Sequence, residues 1–494
     1  MAAFTPHRGL LPETFFATMD WRGSKAGAIS AARQHTPSGN ESSIMAKVDA
    51  RLGKDATYLK SIRNQYENLP YPPRDPEDET RRLIRPTSER LAELNHHCYR
   101  GKRRFDDFRV LVAGGGTGDG TTYLAMQLSR YPGARIVHLD LSTASIDIAR
   151  RRVEKRGLTN VEFVHGSILD LPAMGFAPFD YINCTGVLMV MEDPDAGLRA
   201  IRSVLKPDGA MGIMLYATYG RTGLYQIQEL LRRIHPDGSG ADIPQKLETA
   251  RQLLEELPGG NWFKRGEDLF NDHRTMGDSG IYDMFLISHD RAYTVPEVYA
   301  FAAGAGLHVL DYAWARERIM LEPEQYIQDP VLRERIHGFD TPRRRAIAEL
   351  LSGALTRQHV YMAPEPDRRA PLEPDYVPTL MDVPDPATHH LLADHIRSAP
   401  DVPFAINAAV ASFSVMPGRY TAEIFARMDG ETSFGQMFAD IRASGMQVTD
   451  DELLEDFRPV YDKLAMADAV LLHHTSVPAT VEVVHGDHPG VSAG

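Results

Sequence analysis

The chain has 494 residues, 43% of them apolar and 24% charged, with a net charge of −13 at neutral pH. These are the proportions of a globular protein of roughly two to four domains, and a broadly acidic surface argues against nucleic acid as a partner, because phosphates need clustered Lys and Arg. Cys98 and Cys184 are its only cysteines, which excludes a disulfide framework and a cysteine-rich zinc site; no apolar run approaches the roughly 20 residues that span a bilayer, and the N-terminus lacks a signal-peptide pattern, so a cytoplasmic location is expected.

Residues 1–45 are rich in Gly, Ser, Thr and Ala without periodicity and read as a flexible arm, one that makes a homodimer conceivable. Residues 46–104 read as a helical lid, with helices over 46–68 and 80–100 around the segment Leu69-Pro-Tyr-Pro-Pro73, which the prolines force into an extended course. Strands are expected at about 108–113, 134–140, 161–165, 179–185 and 210–217, alternating with helices at about 119–130, 143–156 and 194–205. Ser142 is placed to N-cap the second helix and Gly157 to end it. Lys206-Pro-Asp-Gly209 reads as a turn. Strict strand–helix alternation implies a parallel sheet with right-handed crossovers.

Residues 221–292 break that rhythm and read as a helical cap insertion. The alternation resumes at Thr294-Val-Pro-Glu297, a capping box with Pro in the first turn, and continues through strands near 307–311 and 358–362. Seven prolines between 364 and 386 mark a linker. The remainder, 387–494, reads as a small α+β accessory domain, winged-helix-like, with a second capping box at Thr449-Asp-Asp-Glu452 and Leu453, Phe457, Val460, Tyr461 and Leu464 on one helix face.

The run Val110-Leu-Val-Ala-Gly-Gly-Gly-Thr-Gly-Asp-Gly120 is a strand entering a glycine-rich turn and then a helix. Such a turn lets backbone N–H groups approach a ligand closely. Asp140 ends the next strand, where a carboxylate can accept hydrogen bonds from ribose hydroxyls. A nicotinamide dinucleotide and S-adenosylmethionine both fit this arrangement. The dinucleotide fingerprint requires glycine where Asp119 stands, which argues against the first.

With His138-Leu-Asp-Leu-Ser142, His165-Gly-Ser-Ile-Leu-Asp-Leu-Pro172, Asn183-Cys-Thr-Gly-Val-Leu188 and Leu205-Lys-Pro-Asp-Gly209 in order behind it, the chain resembles the class I S-adenosylmethionine-dependent methyltransferases. Tyr66-Glu-Asn-Leu-Pro-Tyr-Pro72 is similar to a segment of a bacterial subgroup. The resemblance implies a Rossmann-like, doubly wound, mostly parallel sheet over 105–363. It implies that Gly114, Gly116 and Gly118 line the methionine part of the cofactor, that Asp140 and Leu141 hold ribose and adenine, and that Ser167 and Ile168 flank the adenine. Cys184, Thr185 and Gly186 would pass beneath the sulfonium. Two departures stand out. Ala113 occupies a position where the family commonly has an acid, so the amino group of the cofactor needs another partner. Met189 and Val190 replace a pair of histidines found in the subgroup.

Tyr66 and Tyr71 are candidates for an aromatic lid, since a sulfonium is attracted to a π face. Tyr216, Arg221 and Tyr225 are candidates for the acceptor side, and Tyr219, His289 and Glu67 for a proton acceptor. His96, His97, His389, His390, His395, His473 and His474 do not have the spacing of a metal site, and no metal is expected. The function expected is methyl transfer from S-adenosylmethionine to a small molecule or to a protein or peptide side chain. The alternatives are a non-catalytic cofactor-binding or scaffold protein and a nicotinamide-dependent oxidoreductase.

Overall fold

The computed structural model describes residues 56–236, 239–383, 385, 387–408 and 411–480. The arm 1–45, the first part of the 46–68 helix and the tail from 481 lie outside them. The described residues belong to one compact unit. Among the described residues, no helix is long and apolar enough to cross a membrane.

The centre is a sheet of β1 (Arg109–Ala113), β2 (Arg135–Asp140), β3 (Val161–His165), β4 (Phe179–Thr185), β5 (Leu205–Ala217), β7 (His308–Tyr312) and β8 (Arg357–Ala363), in the order β3-β2-β1-β4-β5-β8-β7. β1 to β5 pair in parallel, and β6 (Ala292–Tyr293) adds a short parallel pairing to β5. β8 runs antiparallel to both β5 and β7. Strands covered on both faces need continuous apolar runs, and β4 is buried from Phe179 to Cys184. The mostly parallel, doubly wound sheet expected from the alternation is the one observed.

Helices α1 (Ala56–Asn68), α2 (Leu91–Cys98), α3 (Asp119–Leu128), α4 (Thr143–Lys155) and α5 (Pro194–Ser203) precede β5. Ser142 caps α4 by accepting from the N–H of Ser145, and Gly157 takes a left-handed conformation just beyond it. The helix expected over 80–100 is confined to α2. Pro86 cannot donate a helical hydrogen bond, and residues 81–90 form no helix. Lys206 to Gly209 do not end a turn before the fifth strand but lie within β5. The pairing with β4 slips there: Phe179 faces Leu205 and Tyr181 faces Ala210.

Beyond β5, α6 (Thr222–Ile234) and α7 (Ile243–Glu256) pack with the short helices of 262–286 around Leu224, Ile227, Phe263 and Phe285. This layer contains a π-helical turn, Tyr282–Leu286. Thr294 and Glu297 form the expected capping box. The proline-rich segment holds β9 (Tyr376–Leu380), which pairs antiparallel with β12 (Val470–His474). Between them lie the hairpin β10 (Phe404–Ala408) and β11 (Ala411–Val415) and four helices, the longest Asp450–Met466. Its capping box is Thr449 with Glu452, and its Leu453, Phe457, Val460, Tyr461 and Leu464 are all buried.

Candidate active site

A cleft of about 350 Å³ lies at the carboxyl ends of the parallel strands, within the range that holds a small-molecule cofactor and on the edge where such sheets bind ligands. Its floor comes from the sheet: Gly114 and Gly116 after β1, Asp140 and Leu141 after β2, Ser167 and Ile168 after β3, Thr185 and Gly186 after β4, and Tyr216 of β5. The strand order therefore lays the site out as a line. The β3–β2 end is marked by Ser167 and Asp140, the middle by the glycine turn, and the far end by β4 and β5.

The glycine turn is built for close approach. Gly116 has φ +53°, and a Cβ there would stand 3.0 Å from the carbonyl oxygen of Tyr71. Gly118 has φ +94°, and its missing Cβ lets the turn pack on Ala149 of α4. Gly118 thus shapes the turn from behind and does not line the cleft. Asp140 is half-buried and ties the turn to the next strand: Oδ2 accepts the N–H of Gly116 at 2.8 Å and Oδ1 that of Ser142 at 2.8 Å. Burial raises its pKa, opposed by these N–H donors.

The segment 66–74 forms the roof. The hydroxyl of Tyr66 donates to Asp283 Oδ1 at 3.1 Å, and that of Tyr71 to Asp272 Oδ2 at 2.8 Å. Thr117 Oγ1 donates to the Pro72 carbonyl at 2.7 Å, and Ser142 Oγ to that of Tyr66 at 3.1 Å. Glu67 points the other way. It accepts the N–H groups of Thr143 at 2.6 Å and Ala144 at 3.2 Å, so it completes the N-terminus of α4, where a carboxylate is favoured by the helix dipole.

Glu89, at the start of α2, lines the middle of the cleft with only 1% of its surface exposed. It accepts from Asn183 Nδ2 at 2.6 Å and from the Ser88 N–H at 2.6 Å. Among the described residues no basic side chain pairs with it. Burial raises its pKa, against those hydrogen bonds. A buried, unneutralised carboxylate is costly unless a ligand offsets it. The far end carries Asp283, Asp272 and Arg357, the last two paired at 2.9 Å.

Residues 105–250 match the sequence profile of the family described as "Methyltransferase domain". This is a class I methyltransferase domain. The chain is similar in fold to PKMT2 from Rickettsia typhi, with a TM-score of 0.55 at 15% identity over 80% of this chain and 76% of that one; a second structure of that protein, in complex with AdoHcy, gives 0.53. An uncharacterized protein of Synechococcus sp. is 29% identical over 260 residues, 52% of this chain and 60% of that protein. The tRNA 5-carboxymethoxyuridine methyltransferase of Escherichia coli is 34% identical over 113 residues, 23% of this chain. The alignments span 60% and 41% of those two relatives.

Against the methyltransferase cleft, several residues singled out in the sequence fall elsewhere. Cys184 is fully buried behind the strand, its thiol pushed up to about 12 by burial. Arg221 is also buried. It stacks on the Tyr216 ring, 3.5 Å from the centroid, and pairs with Asp290 at 3.4 Å. Tyr225 joins the same pair, donating to Asp290 Oδ1 at 3.1 Å. Arg221 and Tyr225 therefore brace Tyr216 and do not line the cleft. Tyr219 is 38% exposed on a short turn, and His289 is not among the lining residues. Val190 lines the cleft. His96 and His97 are structural: His96 Nδ1 accepts from the Leu472 N–H at 2.9 Å, and His97 Nε2 lies 2.9 Å from Asp468. The residues that sequence reading missed are Glu89, Asp272, Asp283 and Arg357, all outside the strand–turn motifs.

Proposed function

We propose that the cleft binds S-adenosylmethionine and transfers its methyl group to a small molecule or to a protein or peptide side chain. The observation that carries this reading is the convergence of Gly116, Asp140, Ser167 and Thr185 on one cleft of a class I methyltransferase domain. When bound, the cofactor supplies an electrophilic methyl on a positive sulfur.

The residues fit that ligand in order. Asp140 accepts the ribose hydroxyls, while Leu141, Ser167 and Ile168 enclose the adenine. Gly114 and Gly116 admit the methionine part. Glu89 takes the cofactor's ammonium, the role left open by Ala113, because it lies against the helix that follows the glycine turn, where a Cβ on Gly120 would stand 3.4 Å from its Oε1, and because Asp119 of that helix is already paired with Arg74 and Arg152. Thr185, Gly186 and Tyr216 then border the sulfonium, with Tyr66 and Tyr71 closing over it. Their rings suit a cation. The chain's work is to orient the acceptor and exclude water, since alignment supplies much of the rate in a displacement of this kind. Calorimetric titration with S-adenosylmethionine and S-adenosylhomocysteine tests the reading. Binding of both supports it; absence of both from wild-type protein refutes it.

A further inference from the structure

Among the described residues, Asp283 is the carboxylate at the β5 end of the cleft that forms no ion pair, as Glu89 is in its middle. It sits in the π-helical turn Tyr282–Leu286 of the cap, a local widening often found at functional positions. It is 4% exposed yet lines the cleft. Among the described residues, its hydrogen-bonding partner is the hydroxyl of Tyr66, at 3.1 Å on Oδ1. Asp272 has Arg357, and Asp290 has Arg221. Among the described residues no Lys, Arg or His pairs with Asp283. The fold thus leaves a negative group without a counter-ion at the β5 end of the cleft, next to Tyr216 and away from the ribose end marked by Asp140.

Resting on the proposed cofactor reading, we propose that Asp283 receives the methyl acceptor, that the acceptor is a protonated amine, and that Asp283 is its proton acceptor. The charge of the site selects the class. Asp272 and Asp283 face this end, and the two lining guanidiniums are already committed, Arg357 to Asp272 and Arg74 to Asp119. A carboxylate or phosphate acceptor would meet repulsion, whereas an ammonium gains an ion pair and the faces of Tyr66, Tyr71 and Tyr216.

The chemistry balances simply. The Asp283 carboxylate takes one proton from the ammonium, freeing the nitrogen lone pair. That pair forms the new bond to the methyl carbon as the carbon–sulfur bond breaks, its electrons staying on sulfur as a neutral thioether. The nitrogen remains a methylated ammonium, and Asp283 returns the proton to water. A proton acceptor works best when its pKa lies near the ambient pH. Burial pushes Asp283 up to about 7, opposed by the Tyr66 hydroxyl and Arg221 and reinforced by Asp290 and Asp272; the phenols of Tyr71 and Tyr216 also face it.

The test uses an S-adenosylhomocysteine analogue in which nitrogen replaces sulfur and bears a 2-aminoethyl arm, so that a primary amine stands beyond the position of the transferred methyl, set against S-adenosylhomocysteine, which has no charge at sulfur and no methyl. Wild type should bind the amine analogue at least tenfold more tightly than S-adenosylhomocysteine at pH 8. Asp283→Asn should erase that preference while holding S-adenosylhomocysteine within about twofold, which also reports an intact fold. In wild type alone, the preference should fade from pH 8 to pH 5 as Asp283 gains its proton. A preference unchanged in Asp283→Asn, or flat with pH in wild type, overturns the assignment. Wild type that binds neither ligand overturns the cofactor reading, and this inference with it.

Discussion

The N–H of Gly116 donates to Asp140 Oδ2 at 2.8 Å, so the carboxylate that would grip the ribose also sets the shape of the glycine turn. Removing it has two effects. Asp140→Ala is expected to lower S-adenosylhomocysteine affinity by about 100-fold, or roughly 3 kcal/mol, the scale of losing charged hydrogen bonds. Asp140→Asn keeps one acceptor oxygen and should lose less. Calorimetry on both variants checks the order; equal affinities in all three proteins would remove Asp140 from the site.

Glu89 offers a sharper discrimination. Glu89→Gln preserves size and the hydrogen bond from Asn183 but removes the charge. S-Adenosylhomocysteine should bind about tenfold more weakly to the variant, whereas 5′-methylthioadenosine, which lacks the amino-acid moiety, should bind as it does to wild type. An equal loss for both ligands would make Glu89 a structural residue of α2.

The roof formed by Tyr66 and Tyr71 should govern how long the ligand stays. Tyr66→Ala and Tyr71→Ala are each expected to raise the dissociation rate of S-adenosylmethionine by about tenfold, in line with roughly 1–2 kcal/mol for a desolvated cation on a ring. Stopped-flow displacement measures it. Unaltered rates would leave the segment 66–74 as a strap on the sheet with no hold on the cofactor.

Stability has its own pH signature in Asp311. Burial would raise its pKa, but Arg345 and Arg318 outweigh that and hold it at about 2. A carboxylate depressed in the folded state stabilises the protein above its ordinary range and loses that contribution as pH falls. The contribution, about 2 kcal/mol, should be complete at pH 6 and largely gone by pH 2. Asp311→Asn should therefore be less stable than wild type at pH 7, with the gap closing toward pH 3 in denaturant titrations. A gap that is constant with pH would refute this account.

The cofactor half of the cleft was legible because its signals are local. A strand, a glycine turn and an acid at the end of the next strand lie within about thirty residues, and each needs its residue type for a backbone reason. Glu89 and Asp283 carry no such mark. One precedes a short helix and the other lies inside the cap, and only the packing of α2 and the cap over the sheet brings them to the ligand. Arg221 and Tyr225 misled for the opposite reason. Position just past a strand end suggests exposure to the cleft, but Asp290, 65 residues beyond Tyr225, draws both away. Lys206-Pro-Asp-Gly209 has turn chemistry, and the sheet absorbed it by slipping register.

The attachment of β12 bears on how this protein can be dissected. The N–H of Leu472 satisfies His96, Asp468 satisfies His97 and Arg318, and the His474 N–H reaches the carbonyl of Gly101. A truncation ending at residue 363 would strip these partners at once, leaving an imidazole pair and a guanidinium in a dry interior. The cofactor-binding segment is thus poorly suited to excision for binding assays, and ligand studies belong on a chain that retains its residues through 474.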